Sequence, residues 1–434
     1  MTQMTTFVGF GFGAIQAGLF ARHAVLAFDR VVIAYRRPEV IAGLRSAGGY
    51  YGVNIASEHS VQREHIGPVE MFNLYDPVER EQLIAAVMEA SEVVTALSSV
   101  DDYAASEPSI AAILATALLR RLEQNPEMSE LARQPCIFYA AENHHQAAER
   151  LQDAISQALS TLQVTLEQKQ QLQAGTAFLN TVIGKMSGVV PVQELTPIVP
   201  GDERAFLVEA FDTILVSACP FVRRLDRLVE KPDLRPFEEA KLYGHNAIHA
   251  LAAYVGQVLG VQYMYQLRQQ EGLLPWLMAA FTEESGAALI NKYQDKHQID
   301  KHQGVDALFT PAGFADYAED LLARMTQASL QDSCARVARD PLRKLAWDDR
   351  LIGTLRLAHQ QGVGAERVAF GVWAALEPTT VTLEQLAQGW QPVAASERDA
   401  ILAILVDAQG RYHAWQTAGM PPLQAWWQTA RSAK

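Results

Sequence analysis

The sequence predicts an α/β domain followed by an all-α one, with an open parallel sheet over residues 1–195 and a mostly helical domain over 196–434. Short β-rich apolar runs, TTFVGFG, VVIAY, EVVTAL and CIFYAAEN, alternate with helical patterns before residue 190; such alternation marks parallel strands joined by helices. The prolines of VVPVQELTPIVPGDE then interrupt the chain at 191, 197 and 200. Beyond them, Ala, Leu, Gln and Glu recur with helical periodicity over 238–295, 313–358 and 364–377, broken by TPAGF and GMPPL, which read as turn and helix-stop signals. The boundary falls between 190 and 205, and no repeat of fixed period is present.

Composition narrows the classes of function. Of 434 residues, 49% are hydrophobic and 20% charged, which excludes disorder as the main theme. Lys+Arg 36 against Asp+Glu 49 gives a net charge of −13, so nucleic acid and anionic membranes are not expected partners. Cys136, Cys219 and Cys334 are odd in number, far apart and in no CxxC arrangement, so neither a disulfide framework nor a cysteine zinc site is indicated. No run approaches 18 uninterrupted apolar residues, and MTQMTTFVGFGFG lacks a basic leader; a cytoplasmic location is expected.

The first strand runs into GFGFGAIQAGLFARHAVLAF, where Gly11, Gly13 and Gly18 open a helix. Glycines at a strand-to-helix turn let a pyrophosphate approach the backbone at the positive helix N-terminus, the Rossmann-type arrangement. Gln16 stands at the third position of the usual GxGxxG spacing, so a simple tight turn is the competing reading. The second strand ends Ile33, Ala34, Tyr35, Arg36, Arg37. The acid that would bind a ribose 2′-hydroxyl is missing, and Arg36 and Arg37 suit a 2′-phosphate, the alternative being a solvated basic turn. Thr95 to Ser99 and Glu142 to Asn143 follow later strands, where ligands of parallel sheets gather. Between Leu151 and Gln173 the apolar residues recur at three- and four-residue steps, predicting a surface amphipathic helix at the domain edge, with too few heptads for a coiled coil.

The segment EEAKLYGHNAIHALAAYVGQVLG carries the most chemistry. At about 100° per residue, with Lys241 at zero, His245 falls at about 40°, His249 at about 80° and Asn246 at about 140°, so four polar groups share one face of a helix that is otherwise apolar. A desolvated lysine serves as general base on a hydroxyl, and an amide donor stabilises the developing alkoxide. Structural burial of the histidines, or an HxxxH zinc site through His245 and His249, are the alternatives; the latter lacks the glutamate of HExxH and a third ligand. Downstream, Arg336, Arg339 and Arg343 fall at i, i+3 and i+7, with Lys344 and Arg350 nearby. They suit an anionic substrate group, or ordinary pairing with Asp340, Asp348 and Asp349. Pro341 breaks the helix there.

With these residues in view the chain resembles the polyol-specific long-chain dehydrogenases, the mannitol dehydrogenase family. The family's lysine, four residues, asparagine, two residues, histidine is met by Lys241, Asn246 and His249. ENHHQAAERL, AFLNTVIGKM at 177–186, EESGAALI at 283–290 and RVARDPLRKLAWDDRLIG at 336–353 extend the likeness over about three quarters of the length. The resemblance implies zinc-independent chemistry with Lys241 as general base, Asn246 and Asn180 as oxyanion donors and His249 orienting substrate or lysine. Gly11, Gly13 and Gly18 would hold the pyrophosphate of NAD or NADP, with Thr95 and Asn143 beside the nicotinamide, and His245, Arg339, Arg343 and Lys344 would contact substrate. Three departures stand out: Tyr35 in place of the aspartate of NAD users, Gly184 and Lys185 in place of an Asp-Arg pair, and His245 where an apolar residue is common.

The function so implied is hydride transfer between NAD(P) and a polyol or polyol phosphate of the mannitol 1-phosphate and fructose 6-phosphate type, by a monomer or small homo-oligomer whose partners are small molecules. The same chemistry on a sugar acid such as a hexuronate, and a non-catalytic dinucleotide-binding sensor, are the competing readings. The four Trp residues Trp390, Trp415, Trp426 and Trp427 suggest that 390–434 caps the helical domain.

Overall fold

The computed structural model describes residues 4–105, 107–124, 135–297, 307–390 and 393–432. The chain divides into two compact units, Met1–Arg235 and Pro236–Lys434. Among the described residues twelve strands lie in the first: β1 (Thr6–Phe10), β2 (Arg30–Tyr35), β3 (Tyr51–Ala56), β4 (Val61–Ile66), β5 (Glu70–Asn73), β6 (Ala90–Thr95), β7 (Cys136–Ala140), β8 (Thr176–Ile183), β9 (Ser187–Pro191), β10 (Arg204–Glu209), β11 (Ile214–Ser217) and β12 (Leu228–Lys231). The larger sheet has the order β12-β11-β8-β7-β6-β1-β2-β5, parallel from β8 to β5, with β11 antiparallel to β8. Connections leave β1 toward β2 on one side and β6 on the other, the switch point at which such sheets bind ligands.

A second sheet, β4-β3-β10-β9, was not anticipated. It also corrects the expected 195/196 boundary. Residues 204–231 are strands of the first unit: β10 pairs with β3 and β9, and β11 with β8. The prolines at 191, 197 and 200 end β9 and shape the loop to β10, so they punctuate a hairpin inside the domain.

Alternation along the central strands divides the core. Phe7, Val31 and Ile33 point to the layer holding Tyr51, Phe206 and Val208 of the smaller sheet. Val8, Phe10, Val32 and Ala34 point to the opposite layer, built by α3 (Pro77–Glu89), α4 (Ile110–Gln124), α5 (Ala147–Thr161) and α6 (Leu166–Gly175), after α1 (Arg22–Ala27) and α2 (Pro38–Ser46). The single helix expected over 151–173 is therefore two. The chain turns at Gln163, with φ 55°, and restarts on a capping box between Thr165 and Gln168, a local bonding set that outweighs continuing periodicity.

The second unit is helical throughout its named elements: α7 (Arg235–Glu239, starting on the last residue of the first unit), α8 (Ala247–Val258), α9 (Leu273–Ala279), α10 (Ala287–His297), α11 (Pro311–Met325), α12 (Cys334–Val337), α13 (Pro341–Lys344), α14 (Arg350–Gln360), α15 (Glu366–Leu376), α16 (Leu383–Gln388), α17 (Ala395–Thr417) and α18 (Leu423–Ser432). Its centre is α8 packed on α15, where a Cβ on Gly371 would sit 2.1 Å from Leu251 Cδ1; glycine is what lets the two helices approach. Trp415 of α17 and Trp427 of α18 join Trp276 and Phe370 in an aromatic cluster, so the tryptophans anchor the C-terminal helices to the unit. Among the described residues no helix is long and apolar enough to cross a membrane.

Candidate active site

In the first unit the carboxyl ends of the parallel strands open on a crevice of ≈ 900 Å³. Gly11, at φ +92°, turns the chain out of β1, and a Cβ there would lie 2.6 Å from the Ala96 carbonyl oxygen. Gly13 faces open space, with nothing within 4 Å of where a Cβ would stand. The helix begins at Ala14, and its first amides have no intrahelical acceptor. This is a cradle for a phosphate group.

Gly18 lies elsewhere. It is buried, and a Cβ would meet Val208 Cγ1 at 2.7 Å, so it brings the helix onto β10 and does not line the crevice. Gln16 does line it, fully buried and lying across Gly9. Arg36 and Arg37 are exposed on the crevice wall beside Tyr35, and Arg204 of β10 stands with them. Arg204 is held by Asp202 at 2.8 Å, whereas neither Arg36 nor Arg37 forms an ion pair among the described residues.

Asn143 lines the crevice as well. Thr95 is fully buried behind the wall, its hydroxyl donating to Glu142 Oε2 at 3.1 Å. Glu142 also accepts from the Tyr103 hydroxyl and from the Leu97 amide at 2.9 Å. Burial pushes its carboxyl up to about 7, against the pull of the Tyr103 hydrogen bond. Thr95 thus holds the loop after β6 rather than facing a ligand. Asn180 sits at 9% exposure on β8, its Oδ1 accepting from the Ala148 amide at 2.9 Å and its Nδ2 donating to Glu149 at 2.8 Å, which fixes the amide against the start of α5.

In the second unit the lysine helix is not uniformly α. Ala240–Asn246 forms a π turn between α7 and α8. Hydrogen bonding from i to i+5 widens the turn, so Asn246 returns roughly above Lys241 in place of the 140° offset expected of an α-helix. Exposure follows the same stripe. From Gly244 to Gly256 only Asn246 and His249 escape full burial, and Lys241 lies partly exposed below them.

His245 departs from the expected shared face: it is 5% exposed and points inward, its ring 6.2 Å from that of His249. Burial and the charge of neighbouring groups lower its pKa well below the usual histidine value, so it is a neutral interior group. Burial of the Lys241 ammonium, aided by the like charge of Arg350, lowers its pKa to about 8.

The basic cluster separates by partner. Arg336 is bound by Asp332, and Arg343 and Arg350 by Asp349 at 3.3 and 2.7 Å. Lys344 is 5% exposed and donates to the carbonyls of Val337 and Arg339, so its ammonium shapes the loop around Asp340, whose φ is +56°. Arg339 is exposed and in no ion pair among the described residues. No group of three His, Cys, Asp or Glu among the described residues is arranged to hold a metal ion.

Residues 233–379 match the Mannitol dehydrogenase C-terminal domain, the span that contains the π turn and the basic cluster. The mannitol-1-phosphate 5-dehydrogenase of Bacillus licheniformis is 28% identical over 371 residues, 85% of this chain and 86% of that protein. Over most of its length the chain is thus similar to mannitol-1-phosphate 5-dehydrogenases. Another relative, the mannitol-1-phosphate 5-dehydrogenase of Caldanaerobacter subterraneus, is 26% identical over 326 residues, 75% of this chain and 74% of that protein. Two solved structures share the fold. Pseudomonas fluorescens mannitol 2-dehydrogenase, solved with NAD and D-mannitol, superposes with a TM-score of 0.64 at 15% identity, covering 96% of this chain and 93% of that one. A D-sorbitol dehydrogenase does so with a TM-score of 0.66 at 14% identity, covering 94% and 96%. With these likenesses along its length the chain is a dehydrogenase.

Three groups at these sites escaped sequence reasoning. Arg204 comes from a strand assigned to the wrong domain, and Tyr103 from a short turn. Asp332 had a visible signal, its i, i+4 spacing to Arg336, which was not used.

Proposed function

We propose that this dehydrogenase transfers hydride between NADP or NAD and a polyol or polyol phosphate, with Lys241 as general base and without a metal. The observation that carries the reading is the open stripe of Lys241, Asn246 and His249 on an otherwise buried helix. Gly11, Gly13 and Asn143 fit the cofactor, because the glycine turn leaves room against a helix N-terminus. The bound dinucleotide supplies the hydride acceptor. Lys241 takes the hydroxyl proton as the carbinol carbon loses hydride, and the Asn246 amide donates to the oxygen as it gains charge. His249 orients a neighbouring hydroxyl.

NADP is favoured by Arg36, Arg37 and Arg204 at the end of β2, where Tyr35 replaces an acid. A phosphorylated substrate is favoured by Arg339, the arginine of the cluster outside any carboxylate pair. Oxidation of NADPH and NADH should be followed with fructose 6-phosphate, fructose and a panel of keto acids. Turnover with fructose 6-phosphate and NADPH is expected, and Lys241→Ala should lower it by about 10²–10⁴-fold while dinucleotide binding persists. Tight dinucleotide binding with no turnover on any substrate would instead mark a sensor.

A further inference from the structure

We propose that Asp332 is a positioning residue: it holds the proton of neutral His249 on Nε2 and orients the guanidinium of Arg336. The proposal rests on reading the α8 stripe as the catalytic surface, and its test is chosen so that the two stand or fall separately.

The backbone of Asp332 is pinned before its side chain acts. Its carbonyl accepts from the Met264 amide at 2.8 Å, the next residue forms a bridge with Tyr263, and the Cys334 amide donates to the Gln262 carbonyl at 3.0 Å. A side chain carried on such a frame has little freedom. The carboxylate is buried at 8% exposure and grips Arg336 with both oxygens, Oδ1 to Nε and Oδ2 to Nη2, each at 2.6 Å. Burial opposes ionisation of Asp332, yet hydrogen bonds from His249 and Arg336 hold its carboxyl at about 2. It stays a carboxylate at any working pH.

His249 Nε2 lies 3.5 Å from Asp332 Oδ2. That is long for a finished hydrogen bond, but Nε2 is buried with no other partner among the described residues, and catalytic hydrogen bonds often tighten when substrate binds. A neutral imidazole has one donor nitrogen and one acceptor, and the partner of one decides the role of the other. With Nε2–H aimed at a fixed carboxylate, Nδ1 becomes an acceptor, able to take a hydrogen bond from a substrate hydroxyl. The same carboxylate uses Nε and Nη2 of Arg336, leaving Nη1 of that 43% exposed side chain to donate. One buried acid thereby sets an acceptor and a donor at once.

The test is nitrogen NMR of the ¹⁵N-histidine-labelled full chain at about pH 9, with His249 assigned by the signal lost in His249→Gln. The expected result is a protonated Nε2 and a bare Nδ1. In Asp332→Asn, whose amide can donate to Nε2, the proton should move to Nδ1, and kcat should fall at least tenfold with the dinucleotide Kd unchanged. A wild-type proton on Nδ1, or an unchanged tautomer and unchanged kcat in Asp332→Asn, overturns the proposal. Should Asp332→Asn not fold, the wild-type tautomer decides alone. The tautomer readout needs no turnover, so full activity in Lys241→Ala would remove the general-base reading without touching this result.

Discussion

Lys241 and Arg350 make the proton affinity of one side chain a property that kinetics can read. Burial and the Arg350 charge lower the lysine to about 8, and only the neutral amine can accept the hydroxyl proton. For polyol oxidation, kcat/KM should therefore rise about tenfold per pH unit up to about 8 and level off above it. The reverse reduction needs the protonated ammonium and should decline above the same point. Arg350→Gln removes the like charge, so the rise should move to higher pH. A flat profile from about pH 6 to 9.5 would exclude Lys241 as the base. The residues of this stripe were legible because their types and spacing are unusual in an apolar helix. Asp332 was not: a lone aspartate looks the same in sequence whether it faces water or a buried imidazole.

Elements were legible where a single period ran unbroken, as in β1, β2, β6 and β7. They were missed where local bonding changed the period. Among the described residues three π turns, Gln16–Ala21, Ala240–Asn246 and Ala280–Gly286, lie inside helices that a uniform 100° step treats as continuous, and one of them alters which side Asn246 takes. The small sheet was missed because Gly52 and Asn54 interrupt β3 and charged groups interrupt β4, so neither reads as the continuous apolar run by which the equally buried β1 and β7 are found. The third π turn places Glu284 at the start of α15, whose own N-cap, Ala365, has no side-chain acceptor. Glu284 accepts from the Arg367 and Val368 amides at 2.9 and 3.0 Å and meets the buried Arg367 guanidinium at 3.2 Å. Glu284→Ala leaves that cap and that charge without their main partner. It should lower stability by about 3 kcal/mol, the lower end for a broken buried pair, since Glu283 still reaches Arg367 at 3.0 Å. Thermal or denaturant unfolding of the variant checks this, and a loss within about 0.5 kcal/mol, typical of a surface change, would count against the cap.

For the whole molecule, a charge of −13 is an average that does not describe any one wall of a crevice. It opposes polyanions, but a phosphate responds to the few guanidinium groups nearest it, and Arg36, Arg37 and Arg204 stand together on one wall. The described core clusters of the first unit are built from residues of that unit alone. A fragment ending at Arg235 should therefore fold and bind NADPH with a Kd within about threefold of the full chain, by a titration of nicotinamide fluorescence; a folded fragment that does not bind would place essential cofactor contacts beyond residue 235. The unit is finished late, however. β3 pairs with β4 within a few residues, yet its other neighbour is β10, which starts at Arg204. At ribosomal rates of ≈ 5–20 residues per second the intervening chain takes roughly 7–30 s to appear. Throughout that time a newly made hairpin carries an unsatisfied edge and a bare Tyr51 and Val53, so the growing chain is most exposed to mispairing while β10 is still unmade.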